Sequence, residues 1–362
     1  MRKFIWITLL SIVFLHLGFR IIQYWPRYIQ DLDGEYWKDR YFQSQWVVTD
    51  SKNPIGDDGL YAYHGYELVL GGDPTVINPE VPPLGKYLIG LCVLVFRNNN
   101  IFGLFTGLFC LLTFYFFNRQ LFKDRLLAFF PVALFSLDPL FYSQLQASFL
   151  DTLYLSFLFL TFLFFLRKKF FIAMIFLGCF ASVKFSALAI FVIATCLVYL
   201  LLQKRRADII RFIPNLIMVP VVILLSYSRY FLLGHSLSDF LKVEKYIVVF
   251  YATGAKARVF AMAIPMLLIN KWYTWWDGVL RIPEWTVLWP VSLISACFTA
   301  FILRPKSPFY LCLIWSFAYL VFLSLTPVYP RYLLLLLPFL YNLLIWALSQ
   351  NTKVKSSFRL VS

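Results

Sequence analysis

Charge is scarce in this sequence, and negative charge most of all. Asp, Glu, Lys and Arg make up 14% of the 362 residues, and 18 acids face 33 Lys and Arg. Histidine occurs three times, at positions 16, 64 and 235, without paired spacing, which argues against a histidine-based metal site. The six cysteines (92, 110, 179, 196, 297 and 312) all lie in apolar stretches. With neither metal-like spacing nor a disulfide framework, they read as small apolar fillers. No internal repeat is found, which weakens a reading as a repeat-built transporter. The start, Met1-Arg2-Lys3 and an apolar run to Leu15, has the look of a signal peptide. No small-x-small cleavage site follows, only His16-Leu17-Gly18-Phe19-Arg20, so an uncleaved signal-anchor is expected.

What the chain has in abundance is apolar surface. Hydrophobic residues make up 61% and aromatics 20%. A soluble chain of this length cannot hide that much, so lipid must be the solvent for much of it. The formal charge of +15 raises the question of nucleic acid, but the cations fall in short clusters between apolar runs. Those clusters are Arg2-Lys3, Arg119 to Arg125, Arg167 to Lys169, Lys204 to Arg206 with Arg211, Arg304 with Lys306, and Lys353 to Arg359. That is the pattern of cytoplasmic turns, and it points to membrane lipid and away from nucleic acid.

If every cluster is cytoplasmic, the chain crosses an even number of times between each pair. Residues 4–22 lead out, and 101–118, 126–142 and 152–166 cross in turn. Residues 84–96 offer only about 13 apolar positions and are expected as an interfacial or re-entrant helix. The roughly 33 residues between Lys169 and Lys204 are too many for one span, so two short helices turning near Ser182-Val183-Lys184 are expected. Residues 209–233, 285–303, 308–326 and 331–349 complete the set. The expected fold is an all-α integral membrane protein, a multi-span helical bundle of about ten spans. Residues 1–350 form a single polytopic domain, with extracytoplasmic regions at 23–100 and 234–284 and a short cytoplasmic tail at 351–362. Both termini are expected in the cytoplasm of a multi-pass cell-membrane protein. On this topology only Asp124 and Asp208 lie in inner turns, and the other 16 acids lie outside. Acids contribute little to orientation, so such gathering suggests chemistry or cation binding on the outer face.

The first long loop mixes aromatics with acids. Asp57-Asp58 opens an expected helix containing Tyr61, where an acid can equally be a simple cap. Glu80 precedes Pro82-Pro83-Leu84-Gly85-Lys86, two prolines that fix an extended entry to the next helix. Lys86 then reads either as a snorkelling lysine or as a cation facing phosphate. Asp138-Pro139 is a turn signature, and Asp151 follows after Gln146. Lys184 and Arg331 lie beside apolar spans, where an unpaired cation is costly, so each needs an anionic partner. Trp275 belongs to Lys271-Trp272-Tyr273-Thr274-Trp275-Trp276-Asp277, an interface belt or a sugar-stacking surface.

The pattern Asp57-Asp58-x-x-Tyr61-Ala62, followed by Pro82-Pro83-Leu84-Gly85-Lys86, resembles the first loop of the protein O-mannosyltransferases, glycosyltransferase family 39. It is also similar to the related aminoarabinose transferases that modify lipid A, whose version carries a glutamate matched by Glu80. Asp138-Pro139-Leu140 with Leu150-Asp151 resembles the second loop motif of that family, except that Gln146 stands where the family carries arginine. Ser182-Val183-Lys184-Phe185-Ser186 and Tyr329-Pro330-Arg331-Tyr332-Leu333 are similar to two further segments, so the resemblance covers about residues 57–335.

The resemblance implies a GT-C fold and a sugar, mannose or a similar hexose, carried on polyprenyl phosphate. Such a donor is already activated. The enzyme must deprotonate an acceptor hydroxyl or amine and stabilise the departing phosphate. Asp57 is the implied general base, supported by Asp58, with inversion in one displacement. Lys86, Lys184 and Arg331 are candidate donor-phosphate partners. Glu80, Asp138, Gln146, Asp151, Tyr61 and Trp275 are candidates for acceptor or cation binding. No cofactor is certain, and a divalent cation held by acids stays open. The acceptor, whether protein, lipid or glycan, also stays open. A polytopic transporter and a non-catalytic subunit of the same fold are the alternatives.

Overall fold

The computed structural model describes residues 2–254, 259–274 and 277–358. Helix dominates because, in lipid, an apolar run has no water to bond and closes its own hydrogen bonds. α1 (Arg2–Tyr28) is followed by two helices of the first polar loop, α2 (Gly34–Phe42) and α3 (Asp57–Val69). α4 (Leu84–Phe96) has the bounds expected of the short apolar helix. Next come α5 (Ile101–Leu121), α6 (Arg125–Ser136), the one-turn α7 (Pro139–Tyr142) and α8 (Asp151–Leu166). α9 (Phe170–Val183) and α10 (Leu188–Leu202) divide the long apolar stretch at Lys184, where the sequence puts the turn. The short helices α11 (Arg206–Phe212), α12 (Met218–Ser226) and α13 (Ser228–Leu232) lead to α14 (Leu237–Gly254) and α15 (Ala263–Ile269).

A small antiparallel hairpin then pairs β1 (Trp272–Thr274) with β2 (Gly278–Leu280), Trp272 opposite Leu280. α16 (Leu288–Ile302), α17 (Phe309–Ser324) and α18 (Leu337–Phe358) complete the bundle. Three helices, Lys3–Tyr28, Ile101–Leu121 and Arg206–Ser226, are long and apolar enough to cross a membrane. A fourth span is formed if the pair Arg125–Ser136 and Pro139–Gln146, bent by 65°, counts as one. Five of the other expected spans are apolar helices of 10–17 residues, shorter than a bilayer core, and the last, 331–349, falls on the 3-10 turn Pro330–Leu335 and the 22-residue α18.

One hydrophobic core runs through the bundle, centred on α8. Phe159 stacks on Phe114 at 4.6 Å between ring centres, and Phe339 and Trp315 pack around Phe162. α8 lies between α5 and α9, and its first residue is Asp151. Asp138 is part of this framework. Its Oδ1 accepts from the Leu140 amide at 2.8 Å, capping α7. Its Oδ2 accepts from Trp289 Nε1 at 2.8 Å and from the Tyr341 hydroxyl. A carboxylate so fully engaged ties the α6–α7 corner to α16 and α18.

Two glycines let α3 lie directly on α4. A Cβ on Gly65 would stand 2.7 Å from the Lys86 carbonyl oxygen, and one on Gly90 would stand 2.2 Å from the Gly65 oxygen. Side chains then anchor α3 elsewhere. Asn99 Nδ2 donates to Ser148 Oγ at 2.9 Å, and Ser148 Oγ donates to the Asp58 carbonyl at 3.0 Å. α13, α14 and the turn between them meet the same loop. His235 in that turn sits 2.7 Å from Asp73, Arg229 Nε of α13 donates to the Gly71 carbonyl at 3.1 Å, and Phe250 of α14 stacks on Trp46.

Candidate active site

These anchors bring four charged side chains from four distant parts of the chain to one wall. Asp57 is the first residue of α3 and Asp151 the first of α8. A helix N-terminus favours a negative charge at both positions. Lys184 caps the end of α9 in a non-helical conformation (φ −139°), where the helix C-terminus favours a cation. Arg331 follows Pro330 in the 3-10 turn Pro330–Leu335, just before α18. Proline suits the first position of such a turn because it has no N–H to satisfy.

The four residues form a chain of opposite charges. Arg331 Nη2 donates to Asp57 Oδ2. Arg331 Nε lies 3.9 Å from Asp151 Oδ2, and Lys184 Nζ donates to Asp151 Oδ1 at 2.6 Å. Tyr61 donates its hydroxyl to Asp57 Oδ2 at 3.2 Å. The Arg331 guanidinium also lies 5.5 Å from the ring centres of Phe149 and Tyr329. Asp151 and Lys184 are nearly buried, whereas about a third of the Asp57 side chain is exposed, at 34%. Asp57 is therefore the more open carboxylate of the pair.

The network faces a cavity of about 610 Å³. Asp57, Asp151, Lys184 and Arg331 line it together with apolar side chains that include Leu188, Phe322 and Leu335. Glu80 also lines it. Asn78 Nδ2 donates to Glu80 Oε1, while Oε2 is buried and has no hydrogen-bond partner among the described residues. Burial raises the Glu80 carboxyl above the ordinary range.

The remaining candidates lie elsewhere. Lys86 does not line the cavity. It is completely buried, and its ammonium donates to the carbonyls of Asn78 at 2.9 Å and Val81 at 2.6 Å. Burial pushes the Lys86 ammonium well down from the ordinary lysine range. It holds the turn that presents Glu80. Asp58 is also outside the cavity lining, and it serves the site through its backbone carbonyl, the acceptor for Ser148. Asp138 is the α7 cap described above. Gln146 lines a smaller cavity that shares Tyr329 and Arg331 with the first. Trp275 lies outside the described residues.

Sequence reasoning missed the cavity's tyrosines 154, 251, 319, 329 and 332. Tyr329 and Tyr332 stand within the quoted Arg331 motif and Tyr251 in an apolar stretch of the second loop region. The other two give no local signal, lying among apolar residues inside helices. Among the described residues, no three His, Cys, Asp or Glu side chains come together as a metal's ligands would.

The chain is an integral membrane protein with the GT-C fold. Nearly its whole length is similar to ArnT of Cupriavidus metallidurans bound to undecaprenyl phosphate, with TM-score 0.67 and 16% identity. That match covers 95% of this chain and 60% of ArnT. Apo ArnT from the same organism matches with TM-score 0.62 and 18% identity, over 82% of this chain and 55% of that one. The archaeal oligosaccharyltransferase AglB from Archaeoglobus fulgidus, in complex with an inhibitory peptide and a dolichol-phosphate, matches with TM-score 0.53 and 12% identity. There the match covers 98% of this chain and 51% of AglB. This chain thus spans little more than half the length of the structures it resembles. No protein-family model matches the sequence, and no curated protein matches it.

Proposed function

We propose that this protein transfers a sugar, mannose or a similar hexose, from a polyprenyl-phosphate donor to an acceptor on the extracytoplasmic face of the membrane. The observation that carries the reading is the 610 Å³ cavity, which brings apolar side chains together with three carboxylates, an arginine and a lysine. A lipid-phosphate donor has the same two halves. Its polyprenyl chain suits the wall of Leu188, Phe322 and Leu335, and its phosphate suits Lys184 and Arg331.

The chemistry follows from the charges. An acceptor hydroxyl gives its proton to Asp57 as its oxygen attacks the anomeric carbon, and the bond from that carbon to the phosphate oxygen breaks. Inversion follows from that single displacement. Protonation cancels the Asp57 charge, so Arg331 loses the nearer of its two carboxylate partners as the leaving phosphate gains charge. Arg331 and Lys184 then meet the phosphate without bringing new charge into a dry site. Glu80, with one oxygen unmet, accepts a hydroxyl or amine of the substrate.

Substitution Asp57→Asn tests the reading in proteoliposomes supplied with polyprenyl-phosphate hexoses. Loss of a general base is expected to slow transfer about 10²–10⁴-fold. Donor binding should persist, since a neutral amide at this position no longer holds Arg331 away from phosphate. Transfer at the wild-type rate would remove Asp57 from the mechanism.

A further inference from the structure

α1 runs along the edge of the bundle almost unaccompanied, with 11% of its apolar window buried. The face it turns to the rest of the protein is polar. His16, Arg20, Gln23 and Arg27 recur three or four positions apart, which sets them on one side of the helix with Tyr24 beside them. This stripe lies against α7. The Arg20 guanidinium stands 3.7 Å from the centre of the Tyr142 ring, and His16 packs on the same ring at 5.2 Å between centres. Further along, the Tyr28 hydroxyl donates to the Leu145 carbonyl at 2.8 Å. Arg20 lies about 26 Å along the helix from Lys3, near the far edge of a hydrocarbon layer about 30 Å thick. Its partners there are the Gln23 Oε1, 2.7 Å from Nη1, and the rings of Phe19 and Tyr142, with no carboxylate among the described residues.

The groups left open at this place can all donate. Arg20 Nη2 and the hydroxyls of Tyr24 and Tyr142 make no hydrogen bond among the described residues, and none of the three is sealed from the surface. Arg20, Arg27 and Tyr142 each act electrostatically on the Tyr24 hydroxyl, so the set shares one space. A cation at this depth is costly until an anion meets it. Stacked on Tyr142, the guanidinium keeps its planar edge free, and that edge fits two oxygens of a phosphate. One guanidinium and two phenols match the single charge of a phosphodiester, whereas a phosphomonoester carries close to two. The next cation toward water on the same face is Arg27, which disfavours a headgroup with a positive charge of its own. We infer that the groove between α1 and α7 binds an anionic glycerophospholipid, its phosphodiester held by Arg20, Tyr24 and Tyr142. The lipid belongs to the leaflet at the C-terminal end of α1 and fastens that helix to the turn Ser143–Gln146. None of its three ligands lines either cavity beside Arg331, so the site does not rest on the transferase reading.

The test is a titration of the full chain in detergent, with bound lipids counted by native mass spectrometry. The probes are dioleoylphosphatidylglycerol, dioleoylphosphatidylcholine and undecaprenyl phosphate. The first phosphatidylglycerol should bind about tenfold more weakly to Arg20→Gln than to the wild type, as loss of a charged hydrogen bond would give. Tyr24→Phe combined with Tyr142→Phe keeps both rings and should weaken that step a few-fold. This pair decides the matter if Arg20→Gln fails to fold. Phosphatidylcholine should bind the wild type more weakly than phosphatidylglycerol does. Equal affinity for phosphatidylglycerol in wild type and variants overturns the inference. An equal loss in Arg119→Gln, whose cation lies in another turn, overturns it too, because general charge attraction would then explain the binding. If undecaprenyl phosphate binds more tightly than phosphatidylglycerol, displaces it and loses that advantage in Arg20→Gln, the groove serves the polyprenyl carrier and the phospholipid assignment falls.

Discussion

Asp151 and Lys184 are almost completely withdrawn from solvent, and each is the other's nearest opposite charge, with Arg331 3.9 Å from Asp151 as a second cation. Removing one partner of a buried pair leaves a bare charge and costs about 3–5 kcal/mol. Lys184→Met should therefore lower the melting temperature sharply. Adding Asp151→Asn should recover most of the loss, because the stranded charge is gone. Sugar transfer should stay low in the double variant if Lys184 pairs with phosphate. Recovery of both stability and transfer would mean that the pair is only a structural bridge. Lys86 differs in kind. Its ammonium serves two carbonyls in a space with no exposure, so geometry matters there as well as charge. Lys86→Arg and Lys86→Met should destabilise the fold to a similar degree, read as the thermal midpoint. Full rescue by arginine would instead point to a role for charge alone.

At the scale of elements, α3 carries Asp57 and is placed by α4 beneath it and by α14 beside its C-terminal loop. Gly65→Ala or Gly90→Ala would push a methyl group into the facing backbone. Overpacking of that kind costs about 1–3 kcal/mol and should reduce transfer by shifting Asp57. Gly18→Ala is the control, since a Cβ there meets nothing within 4 Å and alanine favours helix. The clamp between Asp73 and His235 makes a separate prediction for pH. Burial works against the Asp73 carboxylate, but hydrogen bonds from the Thr75 hydroxyl and amide and from His235 prevail and hold it below the ordinary carboxylate range. The unfolded chain then binds a proton that the folded chain refuses. The contribution is whole above the ordinary carboxylate range and fades as pH falls through the depressed value. Thermal midpoints measured from pH 7 to pH 3 should fall less steeply for Asp73→Asn than for wild type. Parallel slopes would remove Asp73 from the acid response.

Across the whole molecule, the placing of the site depends on sidedness. Lys52 is exposed in the first loop and Lys204 lies in the turn after α10. In intact cells an impermeant thiol reagent should label Lys52→Cys and leave Lys204→Cys untouched until the membrane is opened. Labelling of both, or of Lys204→Cys alone, would overturn the topology and with it the outward site.

Much of the bundle was legible in the sequence because lipid imposes a simple rule. Apolar runs become helices, and their limits are marked by charge, proline or a polar turn. The bounds of α4 and the break at Lys184 followed from run length alone. The lengths of the spans did not follow so directly, because several cross-bundle helices are shorter than their apolar runs, ending at 3-10 turns and bends such as the one at Asp138. Asp57, Asp151, Lys184 and Arg331 were all legible as candidates, since a charge beside an apolar span needs a reason. Their partners were not. Asp57 and Arg331 are 274 positions apart, and no local pattern says that they meet. Only the tertiary structure separated a lysine buried against carbonyls from one beside the cavity, and a capping Asp138 from a carboxylate that lines the cavity. It alone set Tyr142 beside Arg20. The sequence by itself determined the solvent, the helices and the kinds of groups available, because those depend on composition and neighbours along the chain. Which groups share a wall, and which are already spent on the fold, depends on packing between distant segments.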